Sequence, residues 1–217
     1  MTSKTPPPIA PMRLLGRARA FAVRSVFSVW AALVVVPGAY LMAGHLLTLP
    51  VPEDGDPRVA AAVVATRAPD EQGRWLAVHV MYEDCGCSQR LMTYLLSRRA
   101  LPDVRERIVL VGHDEALAKR AREAGFAFEE LDAEELQRRY RAESAPMLLV
   151  ASPTGKLLYA GGYADRKRGP ATKDVEVLHH LMRGERVEKL PLFGCAVSQK
   201  LQEDLDPLGL KYQRKTP

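Results

Sequence analysis

Three cysteines carry the distinctive chemistry of this 217-residue chain. Cys85 and Cys87 flank Gly86 in Glu-Asp-Cys-Gly-Cys-Ser-Gln-Arg, residues 83–90, and Cys195 lies far downstream in Leu-Pro-Leu-Phe-Gly-Cys-Ala-Val-Ser-Gln-Lys. A thiolate attacks disulfides and binds soft metal ions. The Cys-Gly-Cys pair therefore reads as a redox centre, as half of a metal site, or as an incidental pair. A disulfide across one residue closes a tiny loop, so it adds little stability by chain entropy, and its strain makes it easy to reduce. That balance favours a working redox pair over a structural one. Cys195 by itself reads as a small buried hydrophobe under a C-terminal tail. In an oxidising compartment, however, an odd thiol invites a partner, and a tail folded back would let Cys195 exchange with Cys85 or Cys87.

The compartment follows from the N-terminal region. Lys4, Arg13, Arg17, Arg19 and Arg24 stand in the first 24 residues with no acid among them, and the remaining 26 basic residues balance the 26 Asp and Glu. The net charge of +5 is thus a property of that arm, and composition offers no support for nucleic acid as a partner. Residues 26–49, Val-Phe-Ser-Val-Trp through Leu-Leu-Thr-Leu, contain no Asp, Glu, Lys or Arg. Such a run spans a bilayer as a helix, and Pro37 does not forbid it. An export signal cleaved after Ala43 is the competing reading, against which the run is long. Positive charge before the segment, and Glu53, Asp54 and Asp56 after it, keep the N-terminus in the cytoplasm. The expected layout is a basic arm at 1–24, a transmembrane anchor at 25–49, and everything beyond it outside the cytoplasm. In a bacterium this is a single-pass inner-membrane protein with its C-terminal domain in the periplasm, where thiols are kept oxidised.

Beyond the anchor, Pro-Val-Pro-Glu-Asp-Gly-Asp-Pro at 50–57 reads as a linker, 58–185 as a domain and 186–217 as a tail carrying Cys195. Within the domain, strand patterns at 74–82 and 107–113 alternate with helix patterns at 90–99 and 114–125. Phe-Ala-Phe-Glu-Glu-Leu is a weak strand and Asp-Ala-Glu-Glu-Leu-Gln-Arg-Arg-Tyr a short helix, with Glu134 and Arg138 paired along it. Pro-Met-Leu-Leu-Val-Ala-Ser-Pro-Thr-Gly-Lys-Leu-Leu-Tyr-Ala-Gly-Gly holds two apolar runs joined by a turn, and 172–185 closes as a helix with Val175, Leu178 and Leu181 in register. The order predicts an α/β fold with a mixed sheet flanked by helices: early strands parallel through helical crossovers, the last pair antiparallel. Cys85 and Cys87 then sit between the first strand and the helix behind it, where helix N–H groups lower a thiol's pKa.

With that placement, the exported part resembles the thioredoxin-like superfamily, in particular membrane-anchored extracytoplasmic thioredoxin-like proteins. The resemblance is carried by the strand-Cys-helix junction, the Ala145-Pro146 step before Met-Leu-Leu-Val, the hairpin and the closing helix. It implies a cis Pro146 facing the active cysteines, with Ala145 and Pro146 shaping the groove for substrate backbone. It also implies thiol-disulfide oxidoreductase activity on exported proteins without a cofactor. Cys85 would attack a substrate disulfide, and Cys87 or Cys195 would resolve the mixed disulfide. The chain departs from the family's Cys-x-x-Cys. Aligned by the strand, Cys85 takes the attacking place and Ser88 the partner's; aligned by the helix, Cys87 takes the resolving place and Asp84 the nucleophile's. The strand register is preferred because the strand leads into Cys85.

Two other readings stand beside it. Three thiolates could hold a soft ion, and copper-delivery proteins of thioredoxin-like fold pair Cys-x-x-x-Cys with a distant His. Here the spacing differs, His113 is the one stand-in, and His179 and His180 on the closing helix face solvent or pack. The other reading is a degenerate domain kept for partner binding. The basic run at 164–169 reads as a solvated loop, and neither a phosphate loop nor a Ser-His-Asp arrangement is legible.

Overall fold

The structure is a computed structural model that describes residues 11–53, 55–167, 172–207, 209, 211 and 212. Lys4 and its neighbours in the arm, Asp54, Arg168 and Gly169 of the basic run, and the last five residues lie outside the described residues. The chain divides into two units, Met1–Leu46 and Leu47–Pro217. In the first, helix α1 (Pro11–Leu46) contains the 19-residue stretch Phe21–Ala39, whose mean hydropathy of 1.7 and length suffice to cross a membrane. Phe21, Phe27, Trp30, Leu33 and Val36 on it are exposed, as side chains facing lipid would be. Length and composition of this kind fit an anchor and an export signal alike.

The second unit begins with α2 (Pro57–Ala65), started by the Asp56 carboxylate, which accepts the N–H of Arg58 at 2.8 Å, and by Pro57 at the first helical position. Its Val59 and Val63, one turn apart, are buried. This helix was not expected: an Ala- and Val-rich stretch has no polar stripe to mark its period. Then follow β1 (Trp75–Tyr82), α3 (Gly86–Arg98), β2 (Val104–Val111), α4 (Glu115–Glu123), β3 (Ala127–Leu131), α5 (Ala133–Tyr140), β4 (Ser144–Ala145), β5 (Met147–Ala151), β6 (Leu157–Gly161), α6 (Asp174–Met182), β7 (Cys195–Ala196) and α7 (Gln199–Leu205).

The main sheet runs β3-β2-β1-β5-β6, with β1, β2 and β3 parallel to one another and β5 antiparallel to both β1 and β6. This is the expected α/β mixed sheet, in thioredoxin-like order. β1 is central and buried on both faces, which is why it reads as a continuous apolar run. Its alternate residues divide the core. Leu76, Val78 and Val80 pack with Val59, Val63, Leu136 and Tyr140 of α2 and α5. Ala77 and Met81 pack with Leu91, Leu95, Val177 and Leu178 of α3 and α6. On α6, Val175 is half-buried and the inward face is Asp174, Val177, Leu178 and Leu181, a register offset from the expected one. On α5, Arg138 pairs with Glu135 at 3.6 Å rather than with Glu134.

The start of the 50–57 stretch, a linker by composition, is docked here, and its last residue, Pro57, opens α2. Leu49 N–H donates to Leu192 O at 2.9 Å, Ser144 Oγ donates to Pro50 O at 2.6 Å, and Pro52 is buried. The tail is what the stretch docks against, since Leu192 is buried in the same core cluster as Leu49.

Candidate functional site

β1 ends at Tyr82, and the turn after it delivers Cys85 to the start of α3. Cys85 is the N-cap residue, its N–H donating to Tyr82 O at 3.2 Å and its carbonyl accepting from Gln89 N at 3.0 Å. Ser88, buried in the first turn, accepts the Tyr82 N–H on its Oγ at 3.1 Å. That bond ties the helix start to the end of the strand, so Ser88 has a structural task at the position where the family resemblance places a second cysteine. Cys87 occupies the same turn, half-buried, and its sulfur accepts from Arg90 Nη2 at 3.4 Å.

The tail supplies the third sulfur. Gly162 N–H donates to Leu190 O at 2.9 Å, so the chain after α6 runs back along the end of β6. β7 then pairs antiparallel with β4, placing Cys195 opposite Ala145 and Ala196 opposite Ser144. Gly194 makes the approach possible: a Cβ there would stand 1.9 Å from Ala145 O and 2.7 Å from Pro146 Cδ. The Ala145-Pro146 bond is cis. Cys85 Sγ lies 3.8 Å from Ala145 O, so the helix start, the cis step and the tail meet at one place. The structure thus brings Cys85, Cys87, Cys195, Ala145 and Pro146 together.

The three thiols interact in a row, Cys87 with Cys85 and Cys85 with Cys195, and this sets their proton affinities. Cys85 is 0 % exposed, and its pKa is raised, first by its hydrogen bond to Cys195 and then by burial, against an opposing contribution from Cys87. The lowering expected from the helix start is outweighed, because burial and a neighbouring acceptor both favour the protonated thiol. Cys87 is pushed well above the ordinary thiol value by its bond to Cys85 and by burial, despite Arg90. Cys195 moves the other way. The Cys85 thiol beside it lowers its pKa, burial opposes, and the Lys211 ammonium lowers it further. Lys211 is held there by Tyr212, over whose ring its Nζ stands at 4.7 Å and whose hydroxyl accepts the Ala196 N–H at 2.9 Å.

His113, the stand-in for the distant His of a copper site, lies in the exposed loop after β2. Its Nδ1 is 2.6 Å from Glu130 Oε2, and its backbone N–H donates to Glu83 Oε2 at 3.0 Å. Among the described residues no group of three or more His, Cys, Asp or Glu side chains has an arrangement able to hold a metal ion. His179 is exposed, and His180 pairs with Glu176 and Glu185.

Sequence reasoning missed a buried polar network beside the sheet. His79, the one polar residue inside β1, bonds Tyr163 Oη at 2.9 Å through Nδ1 and Glu106 at 3.0 Å through Nε2. Arg98 bridges Glu106 at 2.5 Å and Asp174 at 2.8 Å, and the side chains of His79, Glu106 and Asp174 are 0 % or nearly 0 % exposed. Burial pushes the Glu106 carboxyl up, but Arg98 and His79 outweigh it and hold it at about 2. Tyr163 Oη also donates to Met147 O at 3.3 Å, the residue after the cis proline, so the network braces the strand that carries that step. A lone His inside an apolar run was the available signal.

No protein-family model matches the chain, and no curated protein does. Among solved structures it is similar to a hypothetical protein of Sinorhizobium meliloti 1021, at 14% identity over 58% of this chain and 80% of that one, with a TM-score of 0.43. It is similar to StoA of Bacillus subtilis at 17% identity over 51% and 84%, TM-score 0.37. A third is the thioredoxin domain of a thiol-disulfide oxidoreductase of Bacteroides vulgatus, at 15% identity over 51% and 83%, TM-score 0.32. At these values the fold stands on its own geometry: the β3-β2-β1-β5-β6 sheet, Cys85 at the start of α3 and the cis Ala145-Pro146 step against it make the domain thioredoxin-like.

Proposed function

We propose that this chain is a membrane-anchored thiol-disulfide oxidoreductase that acts outside the cytoplasm on cysteines of exported proteins, through Cys85, Cys87 and Cys195. The observation that carries the reading is the meeting of three sulfurs at a helix start beside a cis Ala-Pro step, although Cys195 is 110 residues along the chain from Cys85. A structural cross-link would not need a third thiol, and the two interactions of Cys85 provide a route for exchange. Ala145 and Pro146 shape the edge against which substrate backbone is held. The basic residues of the arm at 1–24 and the acids after the apolar run support a single pass through a bacterial inner membrane with the domain in the periplasm. Copper handling lacks comparable support, because His113 is engaged with Glu130.

The test is reduction of the insulin interchain disulfides by dithiothreitol, with and without the full chain in detergent micelles. The wild-type chain is expected to accelerate precipitation, and the variant with Cys85, Cys87 and Cys195 all changed to Ser is expected to behave as buffer. Equal rates for the two proteins would sink the oxidoreductase reading and leave the partner-binding one.

A further inference from the structure

Cys85 is fully buried against Ala145, the residue that pairs with Cys195 of the tail. A protein disulfide approaching the site therefore meets the partly exposed Cys195 before Cys85. Resting on the oxidoreductase reading, we propose that Cys195 is the thiol that attacks the substrate disulfide, that Cys85 behind it resolves the mixed disulfide, and that Gly194 positions the pair.

Three observations converge on this order. Cys195 is paired with Ala145 through β7 and β4, at the residue preceding the cis proline, so its sulfur is placed by backbone hydrogen bonds rather than by a mobile tail. Lys211, fixed by Tyr212, puts a positive charge beside it. Of the three thiols Cys195 alone has its proton affinity lowered, while those of Cys85 and Cys87 are raised, so the partly exposed sulfur at the tail is the one favoured as a thiolate. Cys87 keeps some surface and has Arg90 at 3.4 Å, yet it keeps its proton.

The chemistry balances in two displacements. The Cys195 thiolate attacks one sulfur of the substrate disulfide; the bond Cys195–S–S–substrate forms, the substrate S–S bond breaks, and the second substrate sulfur leaves as a thiolate. That thiolate takes up the Cys85 proton. The Cys85 thiolate then attacks Cys195 Sγ, forming a Cys85–Cys195 disulfide and expelling the first substrate sulfur, which is protonated by water. The substrate gains two electrons and the Cys85/Cys195 pair loses them. An external dithiol returns the pair to the reduced state, and with an external disulfide the same steps run backwards. Cys87 stays out of the disulfide.

The test uses the reduced full chain in detergent micelles and a synthetic peptide with one intramolecular disulfide. Cys85→Ser is expected to accumulate a mixed disulfide that peptide mapping locates on Cys195, and Cys195→Ser is expected to accumulate none; Cys85→Ala replaces Cys85→Ser if the latter does not fold. A mixed disulfide on Cys85 in Cys195→Ser, or on Cys87 in either variant, overturns the order while wild-type turnover of the peptide keeps the oxidoreductase reading intact. Absent wild-type turnover brings down both. Gly194→Ala, whose methyl would strike Ala145 O, is expected to slow Cys85–Cys195 disulfide formation about tenfold or more, with the thermal unfolding still cooperative. An unchanged rate overturns the positioning.

Discussion

Cys195 and Lys211 show how a single charge sets a thiol's reactivity. Lys211→Gln removes the ammonium that Tyr212 holds near Cys195, so the thiol's pKa rises and its iodoacetamide alkylation at pH 7 is expected to slow about threefold, read by mass spectrometry at that site. Tyr140 illustrates the opposite case. Its ring, at the end of α5, is buried in the core against α2 and β1, and its hydroxyl has no hydrogen-bond partner among the described residues. Tyr140→Phe is therefore expected to leave the urea midpoint unchanged or to raise stability by about 1 kcal/mol, because an unsatisfied buried hydroxyl costs desolvation without return. In the buried network, Glu106→Gln leaves Arg98 facing half of its former charge partners and is expected to cost about 3 kcal/mol in the same titration. His79 could be noticed in the sequence as a polar residue inside a strand. Nothing in the sequence ties it to Glu106, Arg98 and Asp174, whose spacings follow no helix or strand period.

At the scale of elements, β1, α3, the β5–β6 hairpin and α6 were legible because each has a strong apolar run or period and a marked end. The hairpin turn is an example: Ser152-Pro153-Thr154-Gly155 closes with Gly155 at φ +85° and its N–H donating to Ser152 O at 2.9 Å. α2 was not legible, and its start depends on Asp56. Asp56→Ala is expected to cost about 1 kcal/mol, seen as a lowered urea midpoint with an unchanged slope, since the carboxylate accepts two of the helix's unpaired N–H groups. β7 is two residues long, and no propensity marks so short a strand. It exists because Leu192 is buried in the core, Gly194 admits close backbone contact and Val197 N–H donates to Glu143 O at 2.7 Å.

For the whole molecule, the buried carboxylate sets an acid limit on stability. Glu106 has a folded pKa of about 2, below the ordinary 4.5. A depressed carboxyl pKa contributes stability that is present above the unfolded value and is lost as pH falls through the folded one. The wild-type urea midpoint is expected to fall steeply between about pH 4.5 and pH 2, and Glu106→Gln to flatten that limb. The apolar α1 leads to a separate expectation: the full chain produced in a bacterium stays with membranes through alkaline carbonate washing, and release into the supernatant would count against an anchor.

By itself the sequence determined the order of the main elements, the apolar N-terminal segment and the strand-to-helix setting of Cys85 and Cys87. These are local properties, written in hydrophobic period, charge runs and turn residues, and they need no knowledge of what lies across the fold. Only the tertiary structure decided what surrounds each thiol. Cys85 is fully buried with Ala145 O at its sulfur, Cys195 stands beside the cis proline because Gly194 admits the approach, and the direction of each pKa follows from burial and from the neighbouring sulfurs. Proton affinity depends on neighbours within a few ångströms and on burial, and neither is encoded at the position of the cysteine itself.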